Sequence, residues 1–571
     1  MIDKKINKLR NLIKLNNIDG YIVPKNDEFF SEYAFPNRLK TISNFSGSAG
    51  LAIILKDKNF LFVDGRYTLQ SKIESGNNFK IIEIPKLLPH DLLRKYKKEL
   101  FLGFDPKLFT NNSLKRSFKD SCNLFPINQN LIDLIDAKKI YDHRKETFYI
   151  LDDKVVGESV NSKIYKLILN LKKNKIDNIF ISAPENVAWL LNLRGKDNPY
   201  SPIPNCQIIL TKNKKIYFFS SKNKIVKIKN QYPYKNFNFS DFNEFSSLIN
   251  ELNGKYFSID SSTCSVFNES IIKSKFNCKS SVDPCYEMKA IKNQTEIKNM
   301  VKTHIYDGAA LTKFIYWIKN NKNFNFTEID AEKKLEKFRK QNINYLYPSF
   351  NTIAGSGPNS AIIHYRANKL SQRKIKKNDI FLCDSGGQYK YGTTDVTRTL
   401  CFNKPPKRIK DIFTRVLKGH IAVANTNLNK KITGKIIDKS ARYYLNKINL
   451  DYAHGTGHGV GFFLNVHEGP QAISKYNEVP LKPGMILSNE PGYYRENEFG
   501  IRIENLVYIK KYKNKNLFKN LTLAPIDIDL VNFKLLNKEE KNYLSKYHLE
   551  VYSKISKFLD SKEKKWLLNL I

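Results

Sequence analysis

The chain has 571 residues, of which 41% are hydrophobic, and its 96 Lys and Arg against 55 Asp and Glu give a formal charge of +41. That length exceeds a single core of about 250–300 residues, so several domains are expected; the apolar content excludes wholesale disorder, and no run of about 18 apolar residues exists to span a membrane. The positive charge is mostly lysine, spread over faces such as Lys333, Lys334 and Lys337 and unaccompanied by an arginine-rich arm, zinc finger or aromatic RNA-binding signature, so a solvated surface is expected and no nucleic-acid partner.

Residues 1–150 read as a small α/β unit. From Met1 to Gly20 runs a basic amphipathic stretch, apolar at Ile6, Leu9, Leu12 and Ile13, without a signal-peptide apolar core. Asp3 and the fold-like pattern make it an opening helix, and a cytoplasmic location is expected. The strand Tyr21-Ile22-Val23-Pro24 follows, Ser46–Gly50 turns into the apolar run Leu51–Leu55, and Asp64–Tyr67 ends another strand and opens a helix. After a charged connection a similar order begins in 151–285. A helix over 159–175 precedes a strand at Asn178–Ser182, then Val187–Gly195 and the strand Gln207–Thr211. This reads as a second α/β unit repeating the first in order, though not in residues.

Residues 286–571 read as α+β. Asn293 with Glu296 forms a capping box, and apolar Ile297, Met300, Val301, Ile305, Leu311, Phe314, Ile315 and Ile318 predict a long amphipathic helix. Thr327 with Asp330 begins a second helix and Thr433 a third, with strands expected to dominate between and after them. Phe381–Tyr389 and Thr393–Leu400 read as two strands turning near Lys390-Tyr391-Gly392, which puts Asp384 and Asp395 nearly opposite each other. Facing carboxylates repel, and a cation between them offsets the repulsion. Cys383 points to the other face and is read as core. It is one of seven cysteines with no CxxC pair or zinc spacing, as reduced thiols would be.

His454 and His458 stand four apart, but the four glycines of His454–Gly461 exclude a zinc-binding helix and allow tight backbone near a ligand. His364 and His467 lie in the same acidic region. Glu490 sits where a strand meets a turn. Across Gly500–Asn505, alternation sends Ile501 and Ile503 to a core and Arg502 and Glu504 to the other face. On that spacing alone, Glu504 reads equally well as a solvent-facing partner of Arg502. Gathered in one place, Asp384, Asp395, Glu490 and Glu504 would raise one another's pKa values and could not share a core unneutralised. Two divalent ions match four carboxylates beside a neutral His458, so a dinuclear metal centre is expected.

Asp384, Asp395 eleven positions on, then HGTGHGVG, VHEGP, NEPG and GIRIEN at His454–Gly461, Val466–Pro470, Asn489–Gly492 and Gly500–Asn505 form an order similar to that of the pita-bread metallopeptidases. That family includes methionine aminopeptidase, prolidase and aminopeptidase P. The chain resembles the large three-domain cytosolic form of aminopeptidase P over nearly its full length. FSGSAG at Phe45–Gly50, DGRY at Asp64–Tyr67, AWLLNLRG at Ala188–Gly195, IIHYRA at Ile362–Ala367 and DSGGQYKYGTTDVTRT at Asp384–Thr399 carry that likeness. It departs at Arg366-Ala367, where a small residue followed by proline is expected.

The resemblance implies two creatinase-like N-terminal α/β domains, 1–150 and 151–285, and a pita-bread catalytic domain with a C-terminal extension, 286–571. It implies a dinuclear-metal aminopeptidase that releases the first residue from peptides with proline second. Two divalent ions per subunit are implied, Mn²⁺ first and Co²⁺ or Zn²⁺ as alternatives. Asp384 would hold one, His458 and Glu490 the other, with Asp395 and Glu504 bridging. Glu490 is the implied proton acceptor and donor, His467 and His364 the contacts to the substrate carbonyl or oxyanion, and His454 a wall of the proline pocket. Arg502 would orient carboxylates or substrate, and a homodimer is implied. A prolidase, sharing the five ligands, is the alternative enzyme; a non-catalytic pita-bread binding protein is the alternative outside catalysis. Length and AWLLNLRG favour the aminopeptidase over the first, and the complete ligand set favours it over the second.

Overall fold

The opening helix, Ile2–Leu15, buries Ile6, Leu9 and Ile13 in one core with Tyr21 and Val23 of the strand Gly20–Pro24, the face its spacing predicts. The computed structural model describes residues 2–96, 98–136, 148–229, 236–321, 325–429 and 432–571; the charged connection over 137–147 lies outside them. Helix and strand belong to a unit comprising Met1–Asp153, Glu158–Pro199 and Ile203–Tyr286. Its first sheet runs in the order Lys80–Ile84, Asn59–Asp64, Leu51–Leu55, Gly20–Pro24, Phe101–Phe104, Asn123–Pro126. The second runs Phe237–Ser240, Ile216–Phe219, Gln207–Thr211, Asn178–Ile181, Tyr256–Ile259, Asn277–Ser280. Strand for strand the two sheets share one order and one set of directions. The repeat of order read in the sequence is therefore a repeat of topology. Both faces of the first sheet are covered, with Tyr21, Ala52 and Ile54 in one core and Ile22, Ile53 and Leu55 in another. That double burial is why its strands read as unbroken apolar runs.

The second unit comprises Lys154–Gly157, Tyr200–Pro202 and Glu287–Ile571. Both capping boxes form, opening the helices Gln294–Lys319 and Glu328–Arg339, and Thr433 precedes the helix Gly434–Asn446. Strands predominate as expected as far as Asn520, but helices that the sequence reading missed interrupt and follow them. Lys407–Ala424 is a further helix, and the chain closes with Lys538–Ile555 and Ser561–Leu568. Lysine-rich outer faces hide their apolar stripes: Leu544, Tyr547, Val551 and Ile555, at helical spacing, share a core with Val416 and Leu417.

A three-stranded sheet of Ile353–Ser356, Ile380–Ser385 and Val396–Cys401 packs on the first two helices through Leu311, Phe314, Leu335, Phe381 and Cys383. A five-stranded sheet of Glu468–Ile473, Gly457–Gly459, Ile486–Asn489, Asn505–Tyr512 and Lys515–Asn520 packs on Gly434–Asn446 through Ile437, Ala441, Leu487 and Val507. With Cys383 turned to the helices, Asp384 is left on the opposite face.

Candidate metal centre

Asp384 does not face Asp395. In the antiparallel register Asp384 pairs with Thr397 and Ser385 with Val396, so Asp395 is a diagonal neighbour. Beyond Ser385 the chain leaves for a small sheet of Gly387–Tyr389, Gly392–Thr393 and Tyr345–Pro348. Gly386 permits the departure, because a Cβ there would run into the Thr394 carbonyl oxygen.

Glu504 lies between the strands Phe499–Arg502 and Asn505–Tyr512 and is sewn onto Val396–Cys401. Its N–H donates to Thr397 O at 3.1 Å, and Thr397 Oγ1 donates to Glu504 Oε2 at 2.8 Å. Glu504 is only 1% exposed, which removes the surface reading, and Arg502 pairs with Asp384 instead. The Arg502 guanidinium donates to Asp384 Oδ2 at 2.6 Å, Tyr494 OH at 2.6 Å and Thr397 Oγ1 at 3.0 Å.

His458 stands between Gly457 and Gly459 with its N–H on Ser488 Oγ at 2.9 Å. Its Nδ1 donates to Gly459 O at 2.9 Å, which leaves Nε2 aimed at Asp395 Oδ2 (3.4 Å) and Glu490 Oε1 (3.5 Å). Glu490 is set by its own N–H on Thr456 O at 2.8 Å and by Ser488 Oγ donating to Oε1 at 3.0 Å. Ligand atoms of Asp395, His458 and Glu504 all lie within 4.8 Å of one another. His454 bonds Tyr494 OH through Nε2 at 2.9 Å, has Nδ1 3.9 Å from Glu490 Oε2, and packs against Tyr452 and Tyr494 at 4.9 and 5.4 Å between ring centroids. His467 is exposed, with its ring edge-on to His458 at 4.4 Å. His364 is half-buried just past the turn Gly357–Ala361.

Burial, then the charge of Asp384, pushes Asp395 up to about 6. Burial together with Asp395, Glu490 and Asp384 holds Glu504 well above the usual carboxylate range. Burial opposes charge on His458, yet its bond to Asp395 and the charge of Glu490 lift it to about 9. The pocket draws positive charge. Asp384 Oδ1, Asp395 Oδ1 and Glu504 Oε1 are buried without a hydrogen-bond partner among the described residues. Three unpartnered carboxylate oxygens beside an imidazole nitrogen form a donor set that fits hard divalent cations. A second acidic gathering, Cys401 with Asp527 and Asp529, already holds the ammonium of Lys319 as ion-pair partner to both aspartates.

Sequence reasoning does not reach Thr397, Ser488 or Tyr494. The parity of Thr397 with Asp395 along one strand is the signal that finds it. Tyr494 needs the hairpin of Gly492–Arg495 with Phe499–Arg502, which brings it to Arg502.

Comparison with known proteins matches residues 298–511 to metallopeptidase family M24 and residues 517–570 to a C-terminal region of that peptidase family. Residues 5–135 and 142–296 each match a creatinase/prolidase N-terminal domain. The probable Xaa-Pro aminopeptidase P of Laccaria bicolor is 37% identical over 99% of this chain and 92% of its own length. Xaa-Pro aminopeptidase 1 of Dictyostelium discoideum is 37% identical over 100% of this chain and 96% of its own. Among solved structures, the X-prolyl aminopeptidase of Caenorhabditis elegans, described as a cytosolic enzyme with a di-nuclear active site, is similar at TM-score 0.94 and 31% identity, covering 100% of this chain and 99% of that one. The prolidase of Pyrococcus horikoshii reaches TM-score 0.53 at 28% identity, covering 64% of this chain and 99% of its own.

Proposed function

The chain belongs to metallopeptidase family M24, among its Xaa-Pro aminopeptidases, and from that premise we propose how its residues hydrolyse the bond between a first residue and a proline in second place. Asp384, Asp395, His458, Glu490 and Glu504 would hold two divalent ions, Asp384 serving one, His458 and Glu490 the other, and Asp395 and Glu504 both. The observation that carries this is the trio of buried, unpartnered carboxylate oxygens. Bound there, such ions would supply Lewis acidity and lower the pKa of a water toward neutrality. Glu490, half-buried beside His458 and His454, takes a proton and returns it to the leaving proline nitrogen. His467 and His364 bond the substrate carbonyl and the oxyanion formed from it. An Xaa-Pro bond has no N–H to recognise, so selectivity rests on the ring's shape. His454 with Tyr452 and Tyr494 gives an aromatic wall for it beside Glu490. Arg502 acts from behind, fixing Asp384 through Oδ2 while Oδ1 stays unpartnered.

Mn²⁺ as the resident ion, a homodimer and a cytoplasmic location belong to the same proposal. The oxygen-rich donor set supports the first, the family resemblance the second, and the cytosolic description of the nematode relative the third. The division into 1–150, 151–285 and 286–571 is supported by a separate sheet in each of the first two parts. Prolidase is the second reading, since that enzyme shares the fold; its coverage of only 64% of this chain, against 100% for the aminopeptidase, favours the aminopeptidase. The test is a peptide series. The purified protein should release the first residue from Xaa-Pro-Yaa, stop on chelation and resume with Mn²⁺. Cleavage of Xaa-Pro dipeptides alone would instead identify a prolidase.

A further inference from the structure

Arg398 lies between Thr397 and Thr399, and alternation turns it away from the carboxylates. It is fully buried, and its guanidinium is bonded in every direction. Nε donates to Pro525 O at 3.0 Å, Nη1 to Thr397 O at 2.8 Å and Glu504 O at 2.6 Å, and Nη2 to Asn505 Oδ1, Ala524 O and Tyr547 OH, each at 2.8 Å. None of these six acceptors is a carboxylate. A guanidinium this deep is costly to desolvate and persists only when its donors are satisfied. Tyr547 OH carries the chain onward, donating to Ala524 O at 2.8 Å. Pro525, Ala524 and Tyr547 fall within 517–570, the segment matched to the peptidase C-terminal region. Thr397 and Glu504 contribute the backbone of the metal centre, and Thr397 Oγ1 in turn bonds Glu504 Oε2. One buried cation thus ties Ala524, Pro525 and Tyr547 of this segment to the backbone of the residue proposed to bridge the ions, in addition to the strand pairing of Lys515–Asn520 with Asn505–Tyr512.

We infer that Arg398 and Tyr547 are positioning residues through which the C-terminal segment sets the placement of Glu504 and, with it, the affinity of the site for its ions. This rests on the reading of Glu504 as a ligand. The test is calorimetric titration of the full-length, metal-stripped protein with Mn²⁺, alongside melting curves, for Arg398→Lys, Tyr547→Phe, Glu504→Gln and Val551→Ala. Val551 lies one turn from Tyr547 in the same helix and is fully buried in its core, so Val551→Ala loosens the segment without touching the arginine. Mn²⁺ affinity is expected to fall about tenfold in Tyr547→Phe and further in Arg398→Lys. In Val551→Ala it should stay within about twofold of the unaltered protein even though Tm drops at least as far. At saturating Mn²⁺, both positioning variants should lower kcat with KM little changed.

Unaltered affinity in Arg398→Lys and Tyr547→Phe, beside weakened binding in Glu504→Gln, overturns the inference and leaves the metal centre standing. An equal loss in Val551→Ala also overturns it, as general loosening. Unaltered affinity in Glu504→Gln contradicts the metal centre itself. If Arg398→Lys does not fold, Tyr547→Phe decides alone, because it loses one hydroxyl and no charge.

Discussion

The strands Gly20–Pro24 and Val396–Cys401 are both buried at every position, yet they are built differently. The first fills its two faces with Tyr21, Ile22 and Val23, each removing apolar surface from water at about 1.5–3 kcal/mol per large side chain. The second buries Thr397, Arg398 and Thr399 as deeply, and each must recover inside the protein the hydrogen bonds that water provided. Tracing where those bonds go leads from Thr397 to Glu504, from Thr399 to Arg502 and from Arg398 to the C-terminal segment. Depth of burial therefore does not distinguish scaffold from site; the polarity of what is buried does.

That contrast breaks most visibly at the carboxylates. Asp395→Asn should lower kcat/KM by on the order of 10³-fold or more, about 4 kcal/mol of barrier, while the Tm of the metal-stripped protein holds or rises because one of the repelling carboxylates has gone. Full activity in that variant would falsify a bridging role for Asp395. The reverse pattern belongs to the scaffold. Ile53→Ala, in the core of the first sheet, should cost about 2–5 kcal/mol of stability by urea unfolding, with kcat/KM per folded molecule unchanged; a matching loss of activity would erase the distinction.

Between these lies His548, which accepts from Ile526 N through Nε2 at 3.1 Å and bonds Leu570 O through Nδ1 at 2.9 Å. Burial holds it down to about 4. A folded pKa below the unfolded one gives stability that is complete above about 6.5 and lost as pH falls toward 4, up to about 3 kcal/mol. Urea midpoints between pH 7 and pH 4.5 should fall steeply in the unaltered protein and less steeply in His548→Gln; parallel slopes would remove His548 from the account. The smallest effect is expected at His467. His467→Ala should lower kcat about 10–100-fold with KM little moved, and a change confined to KM would contradict a role in the transition state.

Much of this was legible in the residues because two physical signals are local. Unbroken apolar runs bounded by turns fix strands such as Leu51–Leu55 and Gln207–Thr211, and the mutual repulsion of four carboxylates calls for neutralisation wherever they meet. What escaped depends on distant chain. The diagonal setting of Asp384 and Asp395 follows from a strand switching sheets at Gly386, which pairing with Tyr345–Pro348 decides. The helices Lys407–Ala424 and Lys538–Ile555 hide behind lysine-rich outer faces. Arg398 finds Ala524 and Tyr547 across separations of 126 and 149 residues, beyond any local period. Glu504 shows the limit most plainly, since identical alternation serves a solvent-facing strand and a buried carboxylate of the candidate metal centre.

Counting Mn²⁺ per chain after equilibrium dialysis, in the unaltered protein and in Asp395→Asn, tests the central claim most directly. Two ions in the first, fewer than one in the second, and Xaa-Pro-Yaa cleavage rising with occupancy are the predicted results. Equal metal content in both proteins, or cleavage indifferent to it, would contradict the account.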